Sequence, residues 1–331
     1  MANKTYDLII IGGGPTGLNV GIEAGKAGLD YLILEKGMLV NSLYNFPANM
    51  TFFSTSKKLE IGQIPFVSHL DKPTRAEALE YYRRLTETFD LNINTYEPVE
   101  GMEHHGDDSY TITTSRQSYK TRSVVVATGF YDTPNLLNVP GEDLPKVVHY
   151  YRDAHPYVGK KVLIIGARNS ACDVALETYH KGAEVSMAIR GEEIHERVKY
   201  WIRPNIVNRI KEGSIQAYFK TIVKEIRPDE VVLEGPDGEF TIENDFVLAM
   251  TGYKPNYKLL RSLGIEWPED EDRVPRHDKE NLESNLPNVY LAGVICGGMQ
   301  TNTLFIENTR DHGQKIIEDI LRKRKEVAVT S

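Results

Sequence analysis

Four apolar residues, Leu8-Ile-Ile-Ile11, run into the turn Gly12-Gly-Gly14-Pro15-Thr16-Gly17, after which apolar positions recur at helical spacing from Leu18 to Gly28. A second apolar run, Tyr31 to Glu35, follows the glycine stop. The same design returns 154 positions later: Val162-Leu-Ile-Ile165, then Gly166-Ala-Arg168-Asn169-Ser170-Ala171, a helical stretch from Cys172 to Gly182, and an apolar run from Val185 to Arg190. Continuous apolar runs of strand length mark strands buried on both faces, and a helix between two of them makes the connection parallel. The pattern therefore predicts β-α-β twice, and two copies at so wide a spacing are two domains rather than stacked repeats.

Ser123-Val-Val-Val-Ala127-Thr128-Gly129 reads as a buried strand ending in a turn, and Phe246-Val-Leu-Ala-Met-Thr-Gly252 repeats it after the second unit. A third such strand, Asn288-Val-Tyr-Leu-Ala-Gly293, precedes a helical stretch from about Thr303 to Arg324 and most economically returns to the first sheet. The expected fold class is α/β, with two Rossmann-like dinucleotide-binding domains. The first comprises residues 1–145 and 255–331, split around a second at residues 146–254. Polar, Pro-rich connectors at Thr133–Pro145 and Pro268–Pro287 are the expected crossings. Residues 41–73, with little periodicity, read as loops and short turns.

The chain has 331 residues, room for about two domains of ordinary size. Its net charge of −8 argues against a surface that tracks nucleic-acid phosphates. No apolar run approaches membrane-spanning length, and no charged region followed by an apolar core and a small-residue cleavage site opens the chain. A cytoplasmic protein without a membrane partner is expected. Its two cysteines, Cys172 and Cys296, are too few and too far apart in sequence for a C-x-x-C pair or a zinc knuckle, so no metal site is expected.

In the first Gly-rich turn, Gly12 permits the tight strand-to-helix reversal, Gly14 lets the backbone approach a pyrophosphate, and Gly17 lets the helix pack on the strand. With Pro15 and Thr16 they form a phosphate cradle at a helix N-terminus, whose free amides favour an anion. Glu35, followed by Lys36, stands where a carboxylate accepts hydrogen bonds from both ribose hydroxyls. In the second turn, Gly166, Arg168, Asn169, Ser170 and Ala171 take the equivalent positions, and the acid is replaced by Arg190. Arginine there favours a ribose 2′-phosphate and hence NADP over NAD. His195, Arg197 and Lys199 add positive charge, interleaved with Glu192, Glu193 and Glu196. Two dinucleotide sites in one chain point to hydride transfer from a nicotinamide in one domain to a flavin in the other.

The order of G-x-G-x-x-G with Glu35, Ala127-Thr128-Gly129, a second fingerprint, Gly252 and a closing Leu-Ala-Gly293 resembles the two-domain flavoproteins of the thioredoxin-reductase type. That type carries a redox C-x-x-C before the second fingerprint; the matching stretch here, His149-Tyr-Tyr-Arg-Asp-Ala154, has no cysteine. The segments Thr51 to Gly62, Lys72 to Arg75, Tyr81 to Arg83, Gly159 to Asp173, Tyr290 to Val294 and Phe305 to Gly313 are similar to the YpdA family. The resemblance implies an NADPH-dependent FAD enzyme, a homodimer, acting on bacillithiol disulfide or a related small acceptor. Many members place a cysteine in the first Gly-rich turn to attack the substrate. Here that position is Thr16, which cannot form a mixed disulfide.

The resemblance also brings Phe53 toward the flavin ring and places Cys296 just after the strand beside the flavin, making it a candidate thiol with Thr16 at the candidate catalytic position. Asn302 and Thr303 are expected to open the last helix, with its amides toward the flavin pyrimidine. His312 is a weaker candidate acid or base, expected near a helix C-terminus, and Arg152 a candidate contact for an anionic substrate. Cys172 is expected to pack against its sheet. Three other functions fit the same cofactors. A flavin monooxygenase is suggested by Pro140-Gly141 and His149, but Asp143, Pro145 and Asp153 stand where its signature differs. A ferredoxin or flavodoxin reductase of this fold likewise lacks C-x-x-C, and a non-enzymatic flavin and NADPH redox sensor needs no thiol at all.

Overall fold

A computed structural model describes residues 4–330, with side chains through residue 326; residues 1–3, part of the stretch expected to lack a charged opening region, lie outside that range. The chain divides into two compact units. Unit 1 holds the residues up to Asn45, Asn49–Thr133 and those from Tyr253 onward; unit 2 holds Phe46–Ala48 and Pro134–Gly252.

The sheet of unit 1 is built around Thr5–Ile11, which pairs in parallel with Tyr31–Leu34 on one side and Ser118–Val126 on the other. Ile93–Asn94 extends the sheet beyond Tyr31–Leu34, and Val289–Leu291 pairs in parallel with the C-terminal part of Ser118–Val126. Tyr110–Thr114 and Val99–His104 continue it antiparallel. Leu8, Ile9 and Ile10 are fully buried, as a two-sided strand requires. The helix Pro15–Lys26 lies close on the sheet because Gly21 has no side chain: a Cβ there would stand 2.7 Å from Ile33 Cδ1. The terminal helix His312–Thr330 packs against Pro15–Lys26.

Unit 2 has a five-stranded parallel sheet in the order Gln216–Phe219, Glu184–Ile189, Lys161–Ile165, Phe246–Ala249, Val147–Val148. Its helix Asn169–His180 follows the second Gly-rich turn. A three-stranded antiparallel sheet, Ile222–Ile226, Glu230–Gly235 and Gly238–Glu243, shares a core with the parallel sheet through Val223, Ile226, Val231 and Leu233.

Four sequence expectations need correction. The first crossing falls at 133/134, within the expected connector Thr133–Pro145, but residues 134–145 belong to unit 2 rather than to the first domain, because Leu137, Val139 and Leu144 pack into the core beneath the antiparallel sheet. Gly141 fits there only as glycine, since a Cβ would stand 1.8 Å from the Ile226 carbonyl oxygen. The return crossing falls at 252/253 rather than 254/255, and Pro268–Pro287 is not a crossing but a segment of unit 1, held by Arg276 N–H donating to the Glu266 carbonyl and by a bridge from Glu283 to Tyr290. The last helix begins at His312, not Thr303. Before it, Asn308 closes a turn on the backbone, accepting from Phe305 N–H at 2.7 Å and donating to the Thr303 carbonyl at 2.9 Å, so the helical bonds cannot start there.

Candidate functional site

In unit 1, Ile11 pairs with Val126 and Val126 with Leu291, so three parallel strands end level and deliver Gly12, Ala127 and Ala292 to one edge of the sheet. The carboxyl edge of an open parallel sheet is where ligands bind in such folds. Gly12 (φ +113°) turns so closely that a Cβ would stand 2.6 Å from the Ala127 carbonyl oxygen, and one on Gly17 would stand 1.9 Å from the Gly12 oxygen. Gly14 is different: a Cβ there would meet nothing within 4 Å. Its lack of a side chain serves no internal packing and leaves open space over the turn, as a cradle for a pyrophosphate needs.

The helix opening at Pro15 has Gly14 as N-cap, no side-chain cap and no acid in its first turn. Its first helical bond is Leu18 N–H to the Gly14 carbonyl at 2.9 Å, so the amides of Thr16 and Gly17 have no helical acceptor. The helix Arg75–Thr88, by contrast, starts with a complete capping box between Thr74 and Glu77. The Thr128 hydroxyl is also buried without a partner among the described residues, a polar atom left for a ligand. Beside it Gly129 adopts φ +67°.

Glu35 is buried, with Oε2 accepting Gly13 N–H at 2.7 Å and Oε1 accepting Gly37 N–H at 2.8 Å. Burial pushes its carboxyl up from the ordinary range, against the downward pull of those two amides. The carboxylate is thus held in one direction by the backbone. Lys36 pairs with Asp132 at 2.9 Å.

Thr16 faces inward. A Cβ on Gly293 (φ +84°) would stand 2.8 Å from Thr16 Oγ1, which lies 3.4 Å from the hydroxyl of Thr309. Gly293 N–H donates to His312 Nδ1 at 3.1 Å. His312 is therefore a buried residue opening the last helix, not one near a helix C-terminus, and burial lowers its imidazole to about 4. Asn19 Nδ2 donates to the Arg310 carbonyl at 2.6 Å, which ties the first fingerprint helix to the same segment. Sequence reasoning missed Asn19 and Thr309; the only signal for Thr309 was its place in the Phe305–Gly313 match.

Burial corrects Cys296 as a candidate thiol and bears out the packing expected of Cys172. Cys296 lies in the core of unit 1 with Leu291 and Ile295, and burial pushes its thiol up to about 12. Cys172 is fully buried in the core of unit 2, and burial raises it to about 12 as well. Neither supplies a thiolate at neutral pH. Asn302 and Thr303 are exposed in the turns before the last helix, so they do not present its N-terminal amides. Phe53 is 44% exposed, while its neighbour Phe52 is buried with its N–H on the Pro73 carbonyl and Ser54 donates to Glu307.

In unit 2 the same edge logic holds. Ile165 pairs with Ala188 and Ala249, so Gly166, Arg190 and Met250 leave one end of the sheet together. Gly166 (φ +128°) lies so near Met250 that a Cβ would stand 2.8 Å from its carbonyl oxygen. The helix Asn169–His180 has Arg168 as N-cap, no side-chain cap and no first-turn acid; its first turn carries Ser170 and Ala171. Residues 191–199 fold over this turn, with His195 N–H on the Ala167 carbonyl and Lys199 N–H on Asn169 Oδ1.

Two acids of that loop are engaged elsewhere, Glu192 with Lys220 and Glu193 with Arg203, and the loop's Lys199 pairs with Asp173. Arg168, Arg190 and Arg197 are exposed and hold no ion pair among the described residues. Gly252 instead accepts Asn135 N–H at 2.9 Å, where the chain leaves unit 2. No cluster of three or more His, Cys, Asp or Glu able to hold a metal occurs among the described residues, and no helix among them is long and apolar enough to cross a membrane.

Two Gly-rich turns at sheet edges, each followed by an uncapped helix, define an oxidoreductase of the pyridine-nucleotide class. The chain belongs to the pyridine nucleotide-disulphide oxidoreductase family, whose model matches residues 9–293. Within it the chain groups with the Bdr (YpdA) reductases. It is 43% identical over 316 residues to the bacilliredoxin reductase Bdr of Bacillus subtilis (strain 168), covering 95% of this chain and 97% of that one. The solved bacillithiol disulfide reductase Bdr (YpdA) from Staphylococcus aureus superposes with a TM-score of 0.93 at 43% identity, covering 97% and 99% of the two chains. Its counterpart from Bacillus cereus gives 0.94 at 40% identity, covering 97% and 100%.

Proposed function

We propose that this chain is an NADPH-dependent FAD oxidoreductase that passes reducing equivalents to a low-molecular-weight disulfide of the bacillithiol type, without using a cysteine of its own. FAD is assigned to unit 1 and NADPH to unit 2. The carrying observation is the contrast between the two sheet edges: a buried, amide-aimed Glu35 at one and, at the other, three arginines without an ion pair among the described residues. A carboxylate selects bare ribose hydroxyls, and a guanidinium cluster selects a 2′-phosphate. The open space at Gly14 and the unpartnered Thr128 hydroxyl support the fit of a dinucleotide to unit 1.

When bound, FAD supplies the chemistry by accepting a hydride from the nicotinamide and releasing two electrons to the acceptor. The chain's residues bind and orient. Thr16 and Gly17 offer amides to phosphate, Glu35 holds the ribose, and Arg190 with Arg168 and Arg197 grips the 2′-phosphate. Burial of both thiols supports a route in which the acceptor never becomes covalently attached to the protein. The same observation favours, as a second reading, a flavodoxin-like carrier as acceptor. A cytoplasmic homodimer belongs to the proposal on the strength of the resemblance.

Anaerobic stopped-flow tests the reading. NADPH is expected to bleach the flavin absorbance of the purified protein faster than NADH does, and bacillithiol disulfide is expected to restore it. The variant carrying Cys172→Ala and Cys296→Ala is expected to behave alike once shown to be folded. Failure of NADPH to bleach the flavin overturns the proposal; rapid recovery with flavodoxin but not with any disulfide selects the second reading.

A further inference from the structure

Glu97 is a carboxylate with 1% of its surface exposed, well outside both Gly-rich turns in sequence. Its Oε1 accepts the hydroxyls of Thr114 and Tyr119, each at 2.8 Å, and its Oε2 accepts Asn94 Nδ2 at 2.9 Å. Arg116 stands 3.8 Å from Oε2 on the solvent side. Tyr119 is held in turn by Gln117 Nε2 at 2.7 Å. A buried carboxylate with so complete a set of donors is costly to assemble and rigid once assembled.

This cluster touches Glu35 through the backbone. Glu35 N–H donates to the Asn94 carbonyl at 2.9 Å, and Glu97 N–H donates to the Glu35 carbonyl at 2.9 Å. Tyr96 N–H donates to the Gly37 carbonyl at 2.8 Å, so the residue whose amide holds Glu35 Oε1 is gripped as well. On the other side Gly13 leaves only 3.0 Å between a hypothetical Cβ and both Glu35 Cβ and Ile93 Cδ1. The main chain of Glu35 is therefore clamped by residues 94–97, and those residues are fixed by the Glu97 carboxylate to Thr114 and Tyr119 of the antiparallel strands.

We infer that Glu97 is a positioning residue for the adenosine ribose of FAD: it locks the 94–97 turn and thereby fixes the direction of the Glu35 carboxylate. Outer partners that orient a binding group typically tune ligand affinity by about 10- to 100-fold at metal sites, and an effect at the lower end is expected here. The inference rests on the assignment of FAD to unit 1.

The test exploits FMN, which lacks the adenosine that Glu35 would hold. Holo-protein is equilibrated with a mixture of FAD and FMN, and the ratio of the two flavins retained is measured for the wild type, Glu35→Gln, Glu97→Gln and Tyr119→Phe. Glu35→Gln is expected to shift the ratio toward FMN. Glu97→Gln is expected to shift it the same way by about tenfold, Tyr119→Phe by less, and Glu97→Gln combined with Glu35→Gln by little more than Glu35→Gln alone. If Glu35→Gln shifts the ratio but Glu97→Gln and Tyr119→Phe do not, or if they weaken both flavins equally, Glu97 is only structural and the inference is overturned. If Glu97→Gln does not fold, Tyr119→Phe decides. If Glu35→Gln itself leaves the ratio unchanged, the placement of FAD fails and the inference with it.

Discussion

Thr16 and Gly293 touch: the Thr16 hydroxyl oxygen stands 2.8 Å from where a Cβ on Gly293 would be, and the Gly293 backbone at φ +84° is one that a side chain disfavours. The first Gly-rich turn and the segment after the last strand of the sheet are thus pressed together. Thr309 closes the contact on its other side, 3.4 Å from Thr16.

Gly293→Ala is expected to lower stability by about 2 kcal/mol, from strain at positive φ plus the close approach to Thr16. Thr16→Ala in the same chain is expected to relieve the closest part of the contact, leaving the Thr16 Cβ at 3.1 Å and the backbone strain, so the double variant should unfold in urea between the wild type and Gly293→Ala. Equal midpoints for Gly293→Ala and the wild type would show that the contact carries no energy.

Thr16→Cys is expected to leave turnover with bacillithiol disulfide within about twofold of the wild type, since no thiol of this chain is assigned to the reaction. A tenfold or larger gain, about 1.4 kcal/mol in the barrier, together with a mixed disulfide on the introduced thiol seen by mass spectrometry, would show that a thiol route is the faster one here.

His312 links pH to stability. Its imidazole titrates near 4 in the folded protein, against about 6.5 when unfolded, so folding favours the neutral form. The contribution is full above about pH 6.5 and is lost as pH falls toward 4, to a limit of about 3 kcal/mol. Burial dominates; Asp311 opposes the shift, while Lys315 and His277 reinforce it. Protonation also takes Nδ1 away as the acceptor for Gly293 N–H. His312→Asn keeps an acceptor without a titrating ring, so its Tm should fall less than that of the wild type between pH 6.5 and 4. Parallel Tm curves would refute the assignment.

Arg190→Ala should raise KM for NADPH by about 10- to 100-fold, the loss of a charge-assisted hydrogen bond, while KM for NADH moves little. Added salt should weaken NADPH binding more in the wild type than in the variant, because the guanidinium is exposed and screened. Equal effects on both cofactors would place the 2′-phosphate elsewhere.

The periodicity of the chain by itself determined both β-α-β units. Apolar runs such as Leu8–Ile11 and Val162–Ile165 leave no surface for water, and glycine at 12 and 166 is demanded by backbone crowding that any side chain would worsen. The places of Glu35 and Arg190 at the sheet edges were legible for the same reason: their distance from the Gly-rich turn is set by one helix and one strand of regular length. What the local pattern lacked was any sign of long-range pairing. The boundary at 133/134 depends on Leu137 and Leu144 finding a sheet formed about 80 residues later, and the start of the last helix at 312 depends on Asn308 capturing the backbone before it. The state of Cys296 was also hidden, because a cysteine in a Gly-rich turn looks reactive until its neighbours are placed around it, whereas the packing of Cys172 was legible from its place on the fingerprint helix. Only the tertiary structure decides burial, and burial is what keeps Cys296 a thiol, His312 neutral and Glu97 in reach of Glu35.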